Sequence, residues 1–474
     1  MKRTGLTIML CGALALGAVT GCTGTSNASS TSENAGASTT AVVSGASQQA
    51  QEASGASAAS QAGPSAGAMP SGSMSAAPSG AMPSGEAPGG ASAGASGGAP
   101  GAAIDTAGRV DPSLDTSSVF TDRDMEQEAD TSSAKSIEVK SGEDVTISEE
   151  GVYVLSGTAT DATITVDADS SAKVQLVLNG LNVENADAPA IYVVSADKVF
   201  VTTASGSSNN LSVTGEFVAI GEDNVDGAIF AKDDLVLNGK GTLTINSTQN
   251  GVVGKDDVKV TGGTYEITAA NHGIQGKDSV AIADGTFDIT AGKDGIHSSN
   301  DDDQTLGYVY VAGGTFNIKS ESDGIEGDGY VQIDGGTFDM DSAEGIEGTF
   351  VQINDGNVRI QAADDGINAT GKSTAYSVRL EINGGTVDVS MASGDTDALD
   401  SNGDLYINGG TVNITGQSAF DFDGSGQLNG GTVTVNGEQV TELTGQMMGG
   451  MGGHGGMGGR GNRGDMSGMS GMQA

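Results

Sequence analysis

Carboxylates recur at two fixed places in a repeating phrase, and their chemistry is that of hard-oxygen cation ligands. Asp294, Asp323, Glu344, Asp365 and Asp397 each stand immediately before a phrase glycine or its Ala398 equivalent. Glu326, Glu347, Asp400 and Asp421 stand two residues after it, with His297 and Asn368 in the same place in the intervening repeats. If the repeats stack, these positions become two columns of like charge about 5 Å apart, which repel unless solvent or cations screen them. The run Asn300-Asp301-Asp302-Asp303 adds three more carboxylates at the same edge. Such oxygen ligands, partly on loops, suit Ca²⁺ better than Mg²⁺. The competing reading is a solvated acidic face. The sequence contains neither an EF-hand loop nor a repeated Gly- and Asp-rich nonapeptide.

A second chemistry is offered by aromatic side chains. Tyr308, Tyr330 and Phe350 each precede a residue expected to be buried (Val309, Val331, Val351), and Tyr310 follows one strand position along. Strand alternation points Tyr308, Tyr330 and Phe350 outward on successive turns, where ring faces accept the C–H faces of sugars. The alternative is a self-stacked ladder that stiffens the strand edge. Lys277 and Lys293 lie near the acidic column, as a proton-abstracting base of a lyase would, although ion pairing with neighbouring Asp is their ordinary role.

The phrase that carries these residues defines the elements that position them. Its glycine falls at Gly251, Gly273, Gly295, Gly324, Gly345 and Gly366, and Ala398 and Ala419 take its place later. Successive spacings are 22, 22, 29, 21, 21, 32 and 21 residues, the signature of a stacked array. Within a repeat, Val258-Lys259-Val260 or Val331-Gln332-Ile333 reads as one short strand, and Phe287-Asp288-Ile289 or Phe316-Asn317-Ile318 as the next, across a Gly-Gly-Thr-type turn. Strands of this length cannot make a sheet alone, but coiled upon one another they pair in parallel. The expectation is a right-handed single-stranded parallel β-helix with about 21–22 residues per rung over 137–440, a rod of roughly 60 Å. A β-sandwich would need longer strands. From phrase glycine to the next buried strand residue is 7 residues at Gly251, Gly273 and Gly324, but 14 at Gly295 and Gly366. Two loops therefore leave one edge and frame the plain rungs between them; such loops are commonly binding elements, though insertions are also simply tolerated there.

Composition narrows the partners. Lys and Arg total 20 against 61 Asp and Glu, a formal net charge of −41, which repels nucleic acid and anionic headgroups. The two cysteines, Cys11 and Cys22, fall in the first 22 residues, so the folded part has neither a disulfide nor a thiolate site. Lys2 and Arg3, the apolar run Leu6 to Val19, and Val19-Thr20-Gly21-Cys22 resemble a lipoprotein signal peptide over 1–21, with Cys22 as the acylated residue. Ser, Ala, Gly and Pro dominate 22–115, a composition expected to form a disordered tether. Residues 116–136 read as an acidic lead-in with a short helix near Asp122 to Asp130, and the Gly- and Met-rich 441–474 as a disordered tail. Membrane contact is expected through the lipid alone, on the extracellular face, and the chain is expected to be a monomer.

From about Gly227 to Gly437, the repeated Gly-Gly-Thr-Phe/Val-x-Ile and Asp-Gly-Ile phrases resemble a family of carbohydrate-binding domain proteins. These are lipid-anchored or secreted β-helices of Firmicutes and Actinobacteria, similar in fold to the family 9 pectate lyases. The resemblance implies a right-handed β-helix, bound Ca²⁺ and affinity for cellulose or acid sugars such as polygalacturonate. The chain has no Trp, which departs from the aromatic platforms of cellulose binders. A non-catalytic polysaccharide binder is the leading expectation; a Ca²⁺-dependent pectate-type lyase and a structural or adhesive rod are the alternatives.

Overall fold

The structure, a computed structural model, describes residues 103–104, 110–394 and 396–445. The signal peptide, Cys22 and most of the expected tether and tail lie outside the described residues.

The chain coils as a parallel β-helix whose strands run from Lys135–Glu138 to Glu438–Val440. In the regular part each rung supplies three short strands, such as Asn250–Gly254, Asp257–Val260 and Thr264–Ala269. Each pairs in parallel with its equivalent one turn on: Ile274–Gly276, Ser279–Ile282 and Thr286–Ala291. On the two plain rungs between the inserted loops the first two strands run together as one bent element, Asp323–Ile333 and Glu344–Ile353.

Period-two alternation supplies the core. Ile274, Ile296, Ile325, Ile346, Ile367 and Leu399 form one fully buried column, and Val258, Val280, Val309, Val331, Val351 and Leu380 another. At a third corner Phe287, Phe316 and Phe338 stack with centroids 4.7 and 4.5 Å apart and nearly parallel planes. The phrase glycine is set by contact: a Cβ on Gly345 would lie 2.4 Å from the carbonyl oxygen of Gly366 on the next rung. At the Gly-Gly corners Gly314 and Gly336 adopt φ of 115° and 110°, a region that side chains disfavour. Outside the bore a polar column locks the rungs. Asn354 donates to Asp334, Asn383 to Asn354, Asn408 to Asn383 and Asn429 to Asn408, at 2.7–2.8 Å.

The lead-in differs from its expected form. Its helix is Thr116–Val119, closed by a capping box at Asp115, and 122–130 is turns and irregular chain. The segment runs as a strap down the outside of the solenoid. The amide of Leu114 donates to Gln332 and its carbonyl accepts from the same side chain. Lys259 donates to the carbonyl of Val119 at 2.9 Å, Gln127 to that of Thr261, and the fully buried Asp124 pairs with Lys198 at 3.3 Å.

Candidate functional site

Strand register places the recurring carboxylates on top of one another. One outward column runs through Gln275, His297, Glu326, Glu347, Asn368, Asp400 and Asp421, consecutive partners in adjacent rungs. Beside it Asp323 pairs with Glu344, and Asp397 with Ser418. The register exists because the phrase glycine and the buried Ile after it are fixed by the core, which leaves the flanking residues facing out.

These columns form two oxygen clusters. Carboxylate oxygens of Asp294, Asp323 and Glu326 lie within 4.8 Å of one another, as do those of Asp323, Glu344 and Glu347. Burial makes them costly: Asp294 is 3% and Asp323 5% exposed. Burial first, then the charges of Asp294, Glu326, Glu347 and Glu344, pushes Asp323 up to about 9. Burial and Glu347 raise Glu344 to about 7. Burial alone would also raise Asp294, yet the His272 and His297 imidazoles set against its carboxylate hold it well below the usual carboxylate range. His297 resists burial because Asp294 and Glu326 favour its charged form, which lifts it to about 9. Its Nδ1 lies 2.9 Å from Asp294 and 2.8 Å from Glu326.

Two residues of the site escaped the sequence reading. His272 occupies the place of Asp294 one rung below and approaches its Oδ2 to 2.9 Å; counting back one repeat finds it. Lys372 has no such signal, since it sits on an inserted loop. It forms ion pairs with both Glu326 and Glu347, which raise its pKa against the cost of burial. Asn368 donates to Glu344 at 3.1 Å and to Glu347 at 3.5 Å.

Other expected site residues are placed differently. Asp301 and Asp302 are exposed and join neither cluster. Asp302 pairs with Lys277 at 2.5 Å, while Asp303 accepts from the amide and hydroxyl of Thr305 and so stabilises its own turn. Asp365, Asp397 and Asp400 continue the columns, but among the described residues they belong to no three-ligand group. The Asp397 amide donates to Asp365 at 3.0 Å, as the Asp323 amide does to Asp294 at 3.1 Å, so this column also ties rung to rung. Burial, then Asp365 and Asp421, lifts Asp400 to about 7. The two inserted loops meet across the plain rungs: Ser373 donates to the carbonyl of Gln304 at 2.7 Å and Tyr376 to that of Thr305 at 2.6 Å.

The aromatic expectation needs correction. Tyr308, Tyr310, Tyr330 and Phe350 lie outside the bore but are only 9%, 1%, 0% and 1% exposed. Tyr376 from the second loop and Leu114, Val119 and Phe120 from the strap cover them. Tyr308 and Tyr330 stack on each other at 4.9 Å and 4°, the self-stacked ladder, and no ring face is open to a sugar.

Fold and ladder together define a class: a parallel β-helix protein with a hard-oxygen cluster on one face. Within it, the chain belongs to a family of carbohydrate-binding domain-containing proteins, whose family model matches residues 141–398, more than half of its length. A carbohydrate-binding domain-containing protein of Acetivibrio thermocellus is 36% identical over 123 residues, which are 25% of this chain and 43% of that protein. The match therefore spans less than half of that relative's length. The solved polysaccharide lyase-like protein from C. thermocellum, a gadolinium derivative, is 33% identical and aligns over 44% of this chain and 92% of its own, with a TM-score of 0.43.

Proposed function

We propose that this chain is a non-catalytic, lipid-anchored surface protein that binds acidic polysaccharide through Ca²⁺ held on its ladder. The carrying observation is the pair of largely buried oxygen clusters of Asp294, Asp323, Glu326, Glu344 and Glu347, of which Glu344 alone is half-buried. Membership of a carbohydrate-binding family supports the ligand class. The lipobox-like Val19-Thr20-Gly21-Cys22 supports the anchor and the extracellular face.

The donor set fits the ion. Ca²⁺ takes six to eight oxygens, tolerates irregular geometry and accepts ligands from several carboxylates, and the clusters offer oxygen donors within 4.8 Å of one another. Bound there, Ca²⁺ would supply the positive charge that joins these carboxylates to the carboxylates of a uronate chain. The protein's residues do the rest. Asp323 is the shared member of both clusters, and its high proton affinity measures how strongly that point calls for positive charge. Without a divalent ion, His297 and Lys372 serve as counter-charges. Lys372 sits on the loop and is able to turn outward toward a polyanion when an ion takes its place. It is held protonated by Glu326 and Glu347, a poor state for a general base.

The reading is tested by retention of the full chain on polygalacturonate gels with Ca²⁺ and with chelator. Ca²⁺-dependent retention that Asp323→Asn weakens at least about tenfold is expected, as for loss of one charged ligand. Retention unaffected by chelator removes the calcium bridge, and release of unsaturated uronate products removes the non-catalytic assignment.

A further inference from the structure

The lower end of the ladder changes chemistry from oxygen to nitrogen. His272 and His297 occupy adjacent rungs with rings stacked at 4.4 Å and 26°. The Nδ1 atom of each lies 2.9 Å from Oδ2 of Asp294, and the three ligand atoms fall within 4.8 Å of one another. Both imidazoles are 12% exposed and the carboxylate 4%. Nδ1 of His272 is shielded from solvent and makes no hydrogen bond despite its closeness to Asp294. Nitrogen and oxygen converge on one region there without being aligned as donor and acceptor. On the far side of the second ring, Nε2 of His297 is occupied by Oγ of Ser299 at 3.0 Å. This outer bond fixes ring orientation and directs Nδ1 toward Asp294, as the outer hydrogen bonds of ligating histidines do.

We propose that His272, Asp294 and His297 bind one divalent transition metal of the Zn²⁺ type through two imidazole nitrogens and one carboxylate oxygen. Imidazole suits borderline metals such as Zn²⁺, Ni²⁺ and Cu²⁺, whereas Ca²⁺ selects oxygen. Oδ2 of Asp294 turns to the two rings, and Glu326 Oε2 stands 2.8 Å from His297 as a further oxygen on the ladder side. The backbone holds the set: the amide of Gly273 donates to the carbonyl of Asp294 and that of Gly295 to the carbonyl of Asp323, each rung fixing the next. Asp294 is shared with the oxygen cluster of Asp323 and Glu326, so the two sites meet at one carboxylate, but the nitrogen site itself needs neither glycan nor Ca²⁺.

The chain has three histidines, and the third is His454. The test therefore uses the full chain carrying His454→Ala, titrated with ZnCl₂ by calorimetry, first with saturating Ca²⁺ and then with Ca²⁺ removed. One Zn²⁺ per chain is expected in both conditions. His272→Ala and His297→Ala should each weaken it at least about 100-fold, because even losing an outer partner of a metal ligand costs about 10–100-fold. Asp302→Asn, an exposed carboxylate on the same edge, should leave it unchanged. No Zn²⁺ binding, or binding equal in His272→Ala, overturns the site. If either variant fails to fold, the unsubstituted rings decide the matter. In the His454→Ala chain, Zn²⁺ should shift the Nδ1 resonances of both remaining histidines, and unmoved resonances also overturn it. Zn²⁺ binding lost only when Ca²⁺ is removed would show that the nitrogen site is not independent, and would likewise refute it.

Discussion

At the scale of single residues, the ladder is a contest for positive charge. Lys372 neutralises Glu326 and Glu347, and its loss leaves two largely buried carboxylates without their partner. Lys372→Ala should destabilise the divalent-free chain by about 1–3 kcal/mol, since breaking a buried pair is costly while partial exposure screens it. The same substitution should enlarge the rise in melting temperature on adding Ca²⁺, because the ion no longer displaces an ammonium. An equal Ca²⁺ effect in both proteins would show that lysine and ion do not share the site. A second acidic corner, away from the ladder, carries a pH signature. Burial first, then neighbouring aspartates, raises Asp234 and Asp256 each to about 6. A carboxyl that holds its proton more tightly when folded favours the fold below its unfolded pKa near 4. That contribution is lost as pH rises through about 6. Asp256→Asn should therefore stabilise by about 1–2 kcal/mol at pH 7.5 and by almost nothing at pH 4. Denaturant midpoints at both values check it, and an equal gain at both would exclude a titrating cause. The carboxylate columns were legible from sequence because they ride on the repeat. His272 was legible too, by extending the same column one rung down to a residue of another type. Lys372 was not, because an inserted loop has no register.

At the scale of elements, the strap changes what the outer aromatic ladder means. Alternation correctly placed Tyr308, Tyr330 and Phe350 outside the bore, but alternation speaks only of the strand's own two faces. It cannot say whether another segment lies on the outer one. Leu114, at the end of the stretch read as tether, and Val119 and Phe120, at the start of the acidic lead-in, supply that cover at spacings without period. The long-range partners Gln332, Lys259 and Lys198 bear no sequence mark of their role. Because the strap crosses the outside of rungs that are already closed, its packing should be separable from theirs. Phe120→Ala should loosen the strap by about 2–4 kcal/mol, the range for emptying a buried aromatic site at a surface. Acrylamide quenching of the tyrosine emission, which no Trp obscures, should rise. Amide protection at Ile296–Ser298 should stay unchanged. Loss of protection there would mean that the strap is part of the solenoid's own cooperative unit.

At the scale of the whole molecule, the strands of each rung pair only with those of the rungs beside it, so stability propagates mainly along one dimension. The period alone gave the stacking and both charged columns. The asparagine column from Asp334 to Asn429 lay just as open to view, each member preceding a Gly-Gly or Asp-Gly corner, but polar residues at turns are too common for the pattern to stand out. The last described turn ends differently from those before it. Thr432–Val435 pairs antiparallel with Glu438–Val440 across Asn436-Gly437, whose φ of 50° and 83° suit a two-residue hairpin. Asn436 also donates to the carbonyl of Gly416 at 2.8 Å and accepts from its amide at 3.2 Å, fastening the hairpin to the rung below. This fold-back covers the strand edge that a further rung would otherwise occupy. Gly437→Val forces a β-branched residue into left-handed geometry at a cost of about 1–2 kcal/mol, and the loss should be spent locally. Hydrogen exchange should rise over Ser418–Phe422 and Thr432–Val435 and fall back to the parent value by Glu344–Ile353. A uniform rise along all the rungs would mean that the coil melts as one unit, and the ladder could then not be treated as a rigid frame whose ends fray without disturbing it.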